Sequence, residues 1–334
     1  MTNPWTVDRQ WDPPAPTVTQ LQSGTYTDSA NWRWYAGDYY YPPIIDTPAN
    51  LSTLLGVTIP PPPDNYATVM AVDFEAGQRG HEPWTNDPPS GNTTQGQKFY
   101  FCNRVFFPSN FNNSNNAIKW WQLTTDPSGG GSTNDLILLI TPNGGADDGV
   151  GAILQNDVNG IYAYPTQISL GVWALVEVFI AIENPWGSAT GIVKIFIDGN
   201  LVYSTSAATF LAAYPITGLS SSGTQTILTI GSAPAKTWAV GNDIAISGVT
   251  PAAFNTTGHS YGSSIAAVTS TTQYTINLDS STFGAYVSGG YATRMGGGGI
   301  LAAGMRPIFG GGGSNNTVDQ YVIKGRMFAA ASDS

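Results

Sequence analysis

The stretch WALVEVFIAIENPWGSATGIVKIFIDGNLVY, residues 173–203, decides the fold. In its first run Ala174, Val176, Val178, Ile180 and Ile182 share one face, and Trp173, Leu175, Glu177, Phe179 and Ala181 share the other, because strand side chains alternate. In its second run Val193, Ile195 and Ile197 oppose Lys194, Phe196 and Asp198. One face of each run is wholly apolar, while the other mixes charges with aromatics. That pattern predicts two antiparallel strands with one side on a core and the other lining a groove or a partner. Asp198-Gly199-Asn200 supplies the tight turn of a hairpin.

Working outward, the same texture recurs at Thr68–Phe74, Lys98–Phe107, Ala117–Leu123, Leu136–Ile140 and Val150–Leu154, separated by Gly-, Asn- and Pro-rich loops. The prediction is an all-β protein, a jelly-roll β-sandwich of two antiparallel sheets spanning residues 67–220 and 295–334. Between them, residues 221–294 change to short Thr-, Ser- and Ala-rich strands and read as a small inserted β-barrel-like module. Tyr321–Phe328 reads as the closing strand. Residues 1–66 contain the run Pro60 to Pro63, a stiff polyproline spacer, and many aromatics: Trp5, Trp11, Trp32, Trp34, Tyr39, Tyr40 and Tyr41. We read this segment as an extended N-terminal arm that docks, on its own sandwich or on a neighbouring subunit.

Only 10% of the 334 residues are charged, against roughly 25% in ordinary soluble domains. The polar surface is therefore built from Ser, Thr, Asn, Gln and Gly, as suits packing in an assembly or contact with carbohydrate. A net charge of −10 excludes a phosphate backbone as ligand, since that needs clustered Lys and Arg. Nucleic acid is thus not a partner. No run approaches the ~18 apolar residues of a membrane span, and the N-terminus lacks the pattern of an export signal, so neither membrane insertion nor export is expected. Cys102 is the single cysteine, which precludes an intrachain disulfide and predicts a buried thiol.

The residues Gly171-x-Trp173, the Val-Glu-Val strand, Gly191 to Phe196 and Ile197-Asp198-Gly199-x-Leu201-Val202-Tyr203 resemble the concanavalin A-like lectin and glucanase jelly roll. Arg104, Phe106, Phe107 and Phe111, and the ending Phe309 to Gly313 with Asp319-Gln320-Tyr321, resemble polysaccharide-lyase-like and laminin G-like members. The resemblance implies a fold that hosts lectins, hydrolases, lyases and structural modules alike. Val240 to Val249, Thr272-x-Tyr274-Thr275-Ile276 and Phe283 to Gly290 are similar to a small β module of tailed-bacteriophage structural proteins. That likeness implies a virion setting.

No catalytic residue is assigned; the candidates are Asp73 and Glu75, whose alternation places two carboxylates on one face with Cα atoms roughly 6.6 Å apart, within reach of glycosidase geometry. The longer Glu-x-Asp-x-x-Glu strand of the glucanases is absent. A lyase of this fold would show a Gln-x-His strand with Tyr and Arg; Gln167 lacks the His, and the only histidines are His81 and His259. No zinc spacing occurs, so no cofactor is expected, although Asp147 and Asp148 could ligate Ca²⁺. The carbohydrate-binding or partner-facing set is Arg104, Trp120, Trp121, Glu177, Phe179, Lys194 and Phe196. The plainer reading pairs Glu177 with Lys194 across strands and covers the aromatics with the arm or another subunit.

The expectation from sequence is a non-enzymatic structural component of a tailed-phage virion, a capsid decoration or cement protein or a head or tail fibre protein. It would be located in the virion after assembly in the host cytoplasm, and its partners would be other virion proteins and its own copies, as a homo-oligomer and by assembly habit a trimer. The alternative is a lectin-like host-adsorption protein that binds a surface glycan, and the third reading is a polysaccharide-cleaving enzyme. Against uronate cleavage stands the supply of cations, 12 Lys and Arg in an acidic chain.

Overall fold

The alternating runs become strands in the computed structural model, which describes residues 7–11, 26–27, 33–35, 44–74, 84–86, 96–111, 118–124, 134–141, 149–155, 160–166, 168–184, 188–208, 213–234, 237–256, 263–295, 302–304, 308–309 and 320–331. The chain opens with β1 (Val7–Trp11), β2 (Tyr26–Thr27), β3 (Arg33–Tyr35), β4 (Ile44–Asp46), helix α1 (Pro48–Leu55) and β5 (Val69–Phe74). There follow β6 (Trp84–Asn86), β7 (Lys98–Phe106), β8 (Ile118–Thr124), β9 (Asn134–Thr141), β10 (Gly149–Gln155) and β11 (Gly160–Thr166). The deciding stretch gives β12 (Trp173–Ala181), β13 (Gly191–Ile197) and β14 (Asn200–Ala208). Next come β15 (Ala213–Ser222), β16 (Gln225–Ile230), β17 (Asp243–Thr250), β18 (Ser263–Val268), β19 (Gln273–Ile276) and β20 (Ser288–Met295). The chain then returns through β21 (Ala302–Gly304), β22 (Ile308–Phe309) and β23 (Gln320–Ala331).

These strands form an all-β jelly-roll sandwich with an inserted barrel. One sheet runs in the order β14-β13-β12-β7-β23-β5-β4, with β1 also paired to β23. The other runs β11-β10-β9-β8-β21-β6-β3-β2, with β22 also on β8. The third unit is a closed barrel, β15-β16-β19-β18-β17-β20. Its strands run from Ala213 to Met295.

The period-two pattern is carried through without a slip on the central strands. Burial alternates along β12 and β13, so that Ala174, Val176, Val178 and Ile180 lie buried beside Val193, Ile195 and Ile197. Phe101 stands opposite Val178, and Phe99 opposite Ile180. The turn after β13 is the expected two-residue one: Ile197 pairs with Asn200, and both Asp198 and Gly199 have positive φ, 49° and 77°, as a primed hairpin turn requires.

Described parts of residues 1–66 belong to this chain's own sheets. β1 pairs with β23, β4 with β5, and β3 with β6. The segment also holds a helix, where an extended arm was expected. The signals for α1 are local: Thr47 is its N-cap and accepts from the Asn50 backbone at 3.2 Å, Pro48 opens the first turn, and Gly56 at φ 66° ends it. Leu51 then packs with Ile59, Val69, Ala71, Phe106 and Ile323 in a satellite core. No described helix is long and apolar enough to cross a membrane.

The barrel has its own core, richer in large apolar residues than its Ser- and Thr-rich texture suggests. Leu228, Ile244, Ile246, Ile265, Tyr274 and Ile276 fill it, and Trp238 lies between Tyr214 and Tyr274 with ring centroids 5.4 and 5.0 Å away. Buried Thr226 donates to Leu278 O at 2.6 Å, so its hydroxyl costs the core little. At Gly290, φ is +89° and a Cβ would come within 2.3 Å of Val249 Cγ2 and 2.8 Å of Ser247 O, so only glycine fits where β20 crosses β17.

Asn103 departs from the pattern of the sandwich core. It is 2% exposed, stands opposite Val176 and Met327, and neither atom of its amide has a hydrogen-bond partner among the described residues. A buried amide left unsatisfied costs about 1–3 kcal/mol, so Asn103→Val should raise the denaturation midpoint by a stabilisation of about that size; an unchanged or lowered midpoint would show the amide to be usefully paired.

Candidate functional site

The site lies on the outer face of the sheet whose inner face is the core, on the residues that alternation leaves outward. Across β13, β12 and β7, Lys194, Phe179 and Tyr100 form one row, and Phe196, Glu177 and Cys102 form the next. Leu175 and Arg104 make a third row, and Trp173 with Phe106 a fourth. The side chains of the first two rows are half-buried. They set aromatic and charged groups side by side on one face of the sheet, as a ligand site requires.

The last two rows are covered by the chain itself. The indole Nε1 of Trp173 donates to Pro60 O at 2.8 Å, and its ring packs on Phe106 with centroids 5.4 Å apart. Arg104 Nε lies 3.4 Å from Asp64, and its Nη1 lies 3.7 Å from Asp198. Ile59 and Pro62 are buried, so the polyproline segment is a strap laid over this end of the face. Arg104, expected to face a ligand or partner, is instead engaged by Asp64 and Asp198.

In the open rows the hydroxyl of Tyr100 donates to Glu177 Oε1. Glu177 does not pair with Lys194: the register sets Phe196 opposite Glu177 and Phe179 opposite Lys194, and no ion pair joins the two among the described residues. The Tyr100 phenol is pushed well above the ordinary tyrosine range, first by burial and then by the Glu177 hydrogen bond, with the neighbouring charges of Cys102 and Glu177 adding to it. A neutral phenol and the side chain of Glu177 are thus held side by side on one face.

Of the expected set, Glu177, Phe179, Lys194 and Phe196 come together, and Arg104 lies on the same face under the strap. Trp120 and Trp121 do not join them, because β8 belongs to the other sheet. Asp73 lies on β5 opposite Tyr321, and Glu75 lies outside the described residues, so the pair they were expected to form has no geometry here. Trp5, Trp32, Tyr39, Tyr40, Tyr41, Asp147, Asp148, His81, His259 and Gln167 also lie outside them. Trp11 is on β1 and Trp34 on β3. Cys102 is half-buried rather than buried. Among the described residues no group of His, Cys, Asp and Glu is arranged to hold a metal. Tyr100 was not singled out from sequence. Its signal was parity, since it shares the outward register of Arg104 and Cys102 on one strand.

No protein-family model matches the chain, and no curated protein is significantly similar to it. Solved structures do resemble it. The endo-β-1,4-glucuronan lyase of the fungus Trichoderma reesei matches at 8% identity and a TM-score of 0.40, over 79% of this chain and 81% of that one. The alginate lyase vAL-1 from Chlorella virus matches at 8% identity and a TM-score of 0.43, over 96% and 99%. The carbohydrate recognition domain of Emp46p, in its metal-free form, matches at 9% identity and a TM-score of 0.35, over 78% and 82%. At these values no residue role or substrate carries across.

The expectation of a non-enzymatic virion structural protein is corrected here. The solved structures that resemble this chain are polysaccharide lyases and a carbohydrate recognition domain. The physical source of the error is the barrel. Its short polar strands suggested a phage structural module, and the comparisons do not show that likeness.

The state of Tyr100 is directly measurable. Its raised pKa stabilises the fold below the ordinary tyrosine value of about 10 and is lost only as pH rises through the folded value. In an alkaline titration followed by phenolate absorbance, Tyr100→Phe should therefore leave the step below about pH 12 unchanged; a step smaller by one tyrosine would place an ordinary phenol at this position.

Proposed function

We propose that the chain binds a polysaccharide along the open rows of the outer face and cleaves it there by general acid–base chemistry. The observation that carries this reading is the Tyr100–Glu177 hydrogen bond, set among the half-exposed rings of Phe179 and Phe196 with Lys194 beside them. Flat rings stack on the apolar faces of sugars, and the fixed polar groups orient hydroxyl or acidic substituents. Glu177 takes a proton from the water that attacks the anomeric carbon, and Tyr100 passes its proton to the glycosidic oxygen as the C–O bond breaks. Lys194 supplies the positive charge that faces a substituent of the bound sugar. The strap over Trp173 and Arg104 fixes the edge of the track, so the glycan runs across the strands along the rows Lys194–Phe179–Tyr100 and Phe196–Glu177–Cys102.

Binding and scission separate in the variants. Each ring is worth about 1 kcal/mol, so the double substitution Phe179→Ala with Phe196→Ala should weaken binding of the responsive polysaccharide roughly thirtyfold, with unchanged circular dichroism. Glu177→Gln and Tyr100→Phe should each slow depolymerisation about 10²- to 10⁴-fold with binding retained. If a panel of neutral and acidic polysaccharides shows neither binding nor shortening, or if these variants cleave as well as the parent chain, the reading fails.

A further inference from the structure

Ser247 of β17 and Thr293 of β20 are 2% and 1% exposed, and neither Ser247 Oγ nor Thr293 Oγ1 has a hydrogen-bond partner among the described residues. Other buried hydroxyls of the barrel are paired. Thr226 Oγ1 bonds Leu278 O and Ser280 Oγ at 2.6 and 2.7 Å, and Thr256 Oγ1 accepts from Ile246 N at 2.8 Å. The strand register brings the two orphans together. Ala245 stands opposite Thr293 and Ser247 opposite Tyr291, so Ser247 and Thr293 are diagonal neighbours on one face, with Cβ atoms about 7 Å apart or less. They alternate with Ile244, Ile246 and Ala292, which belong to the barrel core. On both sides of Thr293 the directly opposed residue is an alanine, Ala245 on β17 and Ala213 on β15.

We propose that Ser247 and Thr293 hold one buried water molecule between them. Spacing selects this ligand. The two hydroxyls do not bond each other, yet a diagonal pair is close enough for two bonds of about 2.8 Å through a single oxygen. Charge selects it too, because two hydroxyls bring nothing to balance a buried ion. Each hydroxyl has one proton to give and two lone pairs to accept with, so either bond can run in either direction. The flanking alanines carry no atom beyond Cβ that could take the water's place. A water so placed ties β17 to β20 beside the stretch where Gly248, Gly289 and Gly290 all have positive φ. Buried water that satisfies polar groups in this way is part of a fold and costly to remove. Asn103 lacks that arrangement, since its opposed neighbours are Val176 and Met327.

The experiment compares the full-length chain with Thr293→Val, Ser247→Ala and the double variant. Hydrogen exchange of barrel-core amides such as Leu228 and Tyr274 reads the stability of the barrel itself, and oxygen-17 relaxation dispersion of the solvent counts waters held inside the fold. Each single variant should lower protection about tenfold. The double variant should lose little more, because either substitution alone breaks the bridge, and it should hold one long-lived water fewer than the parent chain. Thr293→Val keeps the shape of the side chain, so lost packing cannot mimic the effect. Two hydroxyls that are merely orphaned give the reverse, since replacing one by a methyl group then raises protection. Raised or unchanged protection in Thr293→Val, losses that add in the double variant, or an unchanged number of long-lived waters would each overturn the proposal. None of these readouts involves a glycan, so the proposal stands or falls apart from the proposed function.

Discussion

Side chains of a β-strand must alternate between two faces, and on β7, β12 and β13 that constraint is obeyed at nearly every position. Everything else in the sandwich depends on it. Once Val176, Val178, Ile180, Val193 and Ile195 are committed to the core, Glu177, Phe179, Lys194 and Phe196 are committed to the opposite face. A slip of one residue would bury a carboxylate and an ammonium and expose a row of branched aliphatic side chains. The register that stabilises the core is therefore the same register that holds Tyr100 against Glu177.

The outer face is then divided by the chain's own N-terminal region. Leu51 and Ile59 draw α1 and the polyproline strap onto Phe106 and Ile323, and Trp173 and Arg104 are used up in holding the strap. This division leaves the sheet face with an end covered by the strap and a half-buried stretch beside it. Asp198 joins both structures: its backbone makes the hairpin turn, and its carboxylate accepts from Leu175 N at 2.8 Å while facing Arg104. Two long strands, one turn and one strap thus fix where polar chemistry is available.

The fold was legible in sequence wherever the period was strict. The runs around Val176 and Ile195 gave the faces, and Asp198-Gly199 gave the hairpin, because each depends on local alternation or backbone conformation alone. Helix α1 was hidden among prolines, although Thr47-Pro48 and Gly56 marked both its ends. Part of the site was legible through parity, which placed Glu177, Phe179, Lys194 and Phe196 on one side. Tyr100 was not, since its importance comes from a partner 77 residues away. Trp120 and Trp121 were misplaced for the same reason: nearness along the chain says nothing about which sheet a strand joins. The barrel's polar texture concealed its core, because buried Thr226, Ser247 and Thr293 stand beside the Ile, Leu, Tyr and Trp that close the interior.

The most direct measurement is hydroxyl-radical footprinting of the full-length chain with and without a polysaccharide that it shortens or binds. Oxidation of Tyr100, Phe179 and Phe196 should fall when the glycan is present, while exposed Val240 and Val287 of the barrel, 64% and 70% exposed, should be oxidised as before. Protection of the barrel with none on the sheet would contradict a carbohydrate track on the outer face of β7, β12 and β13.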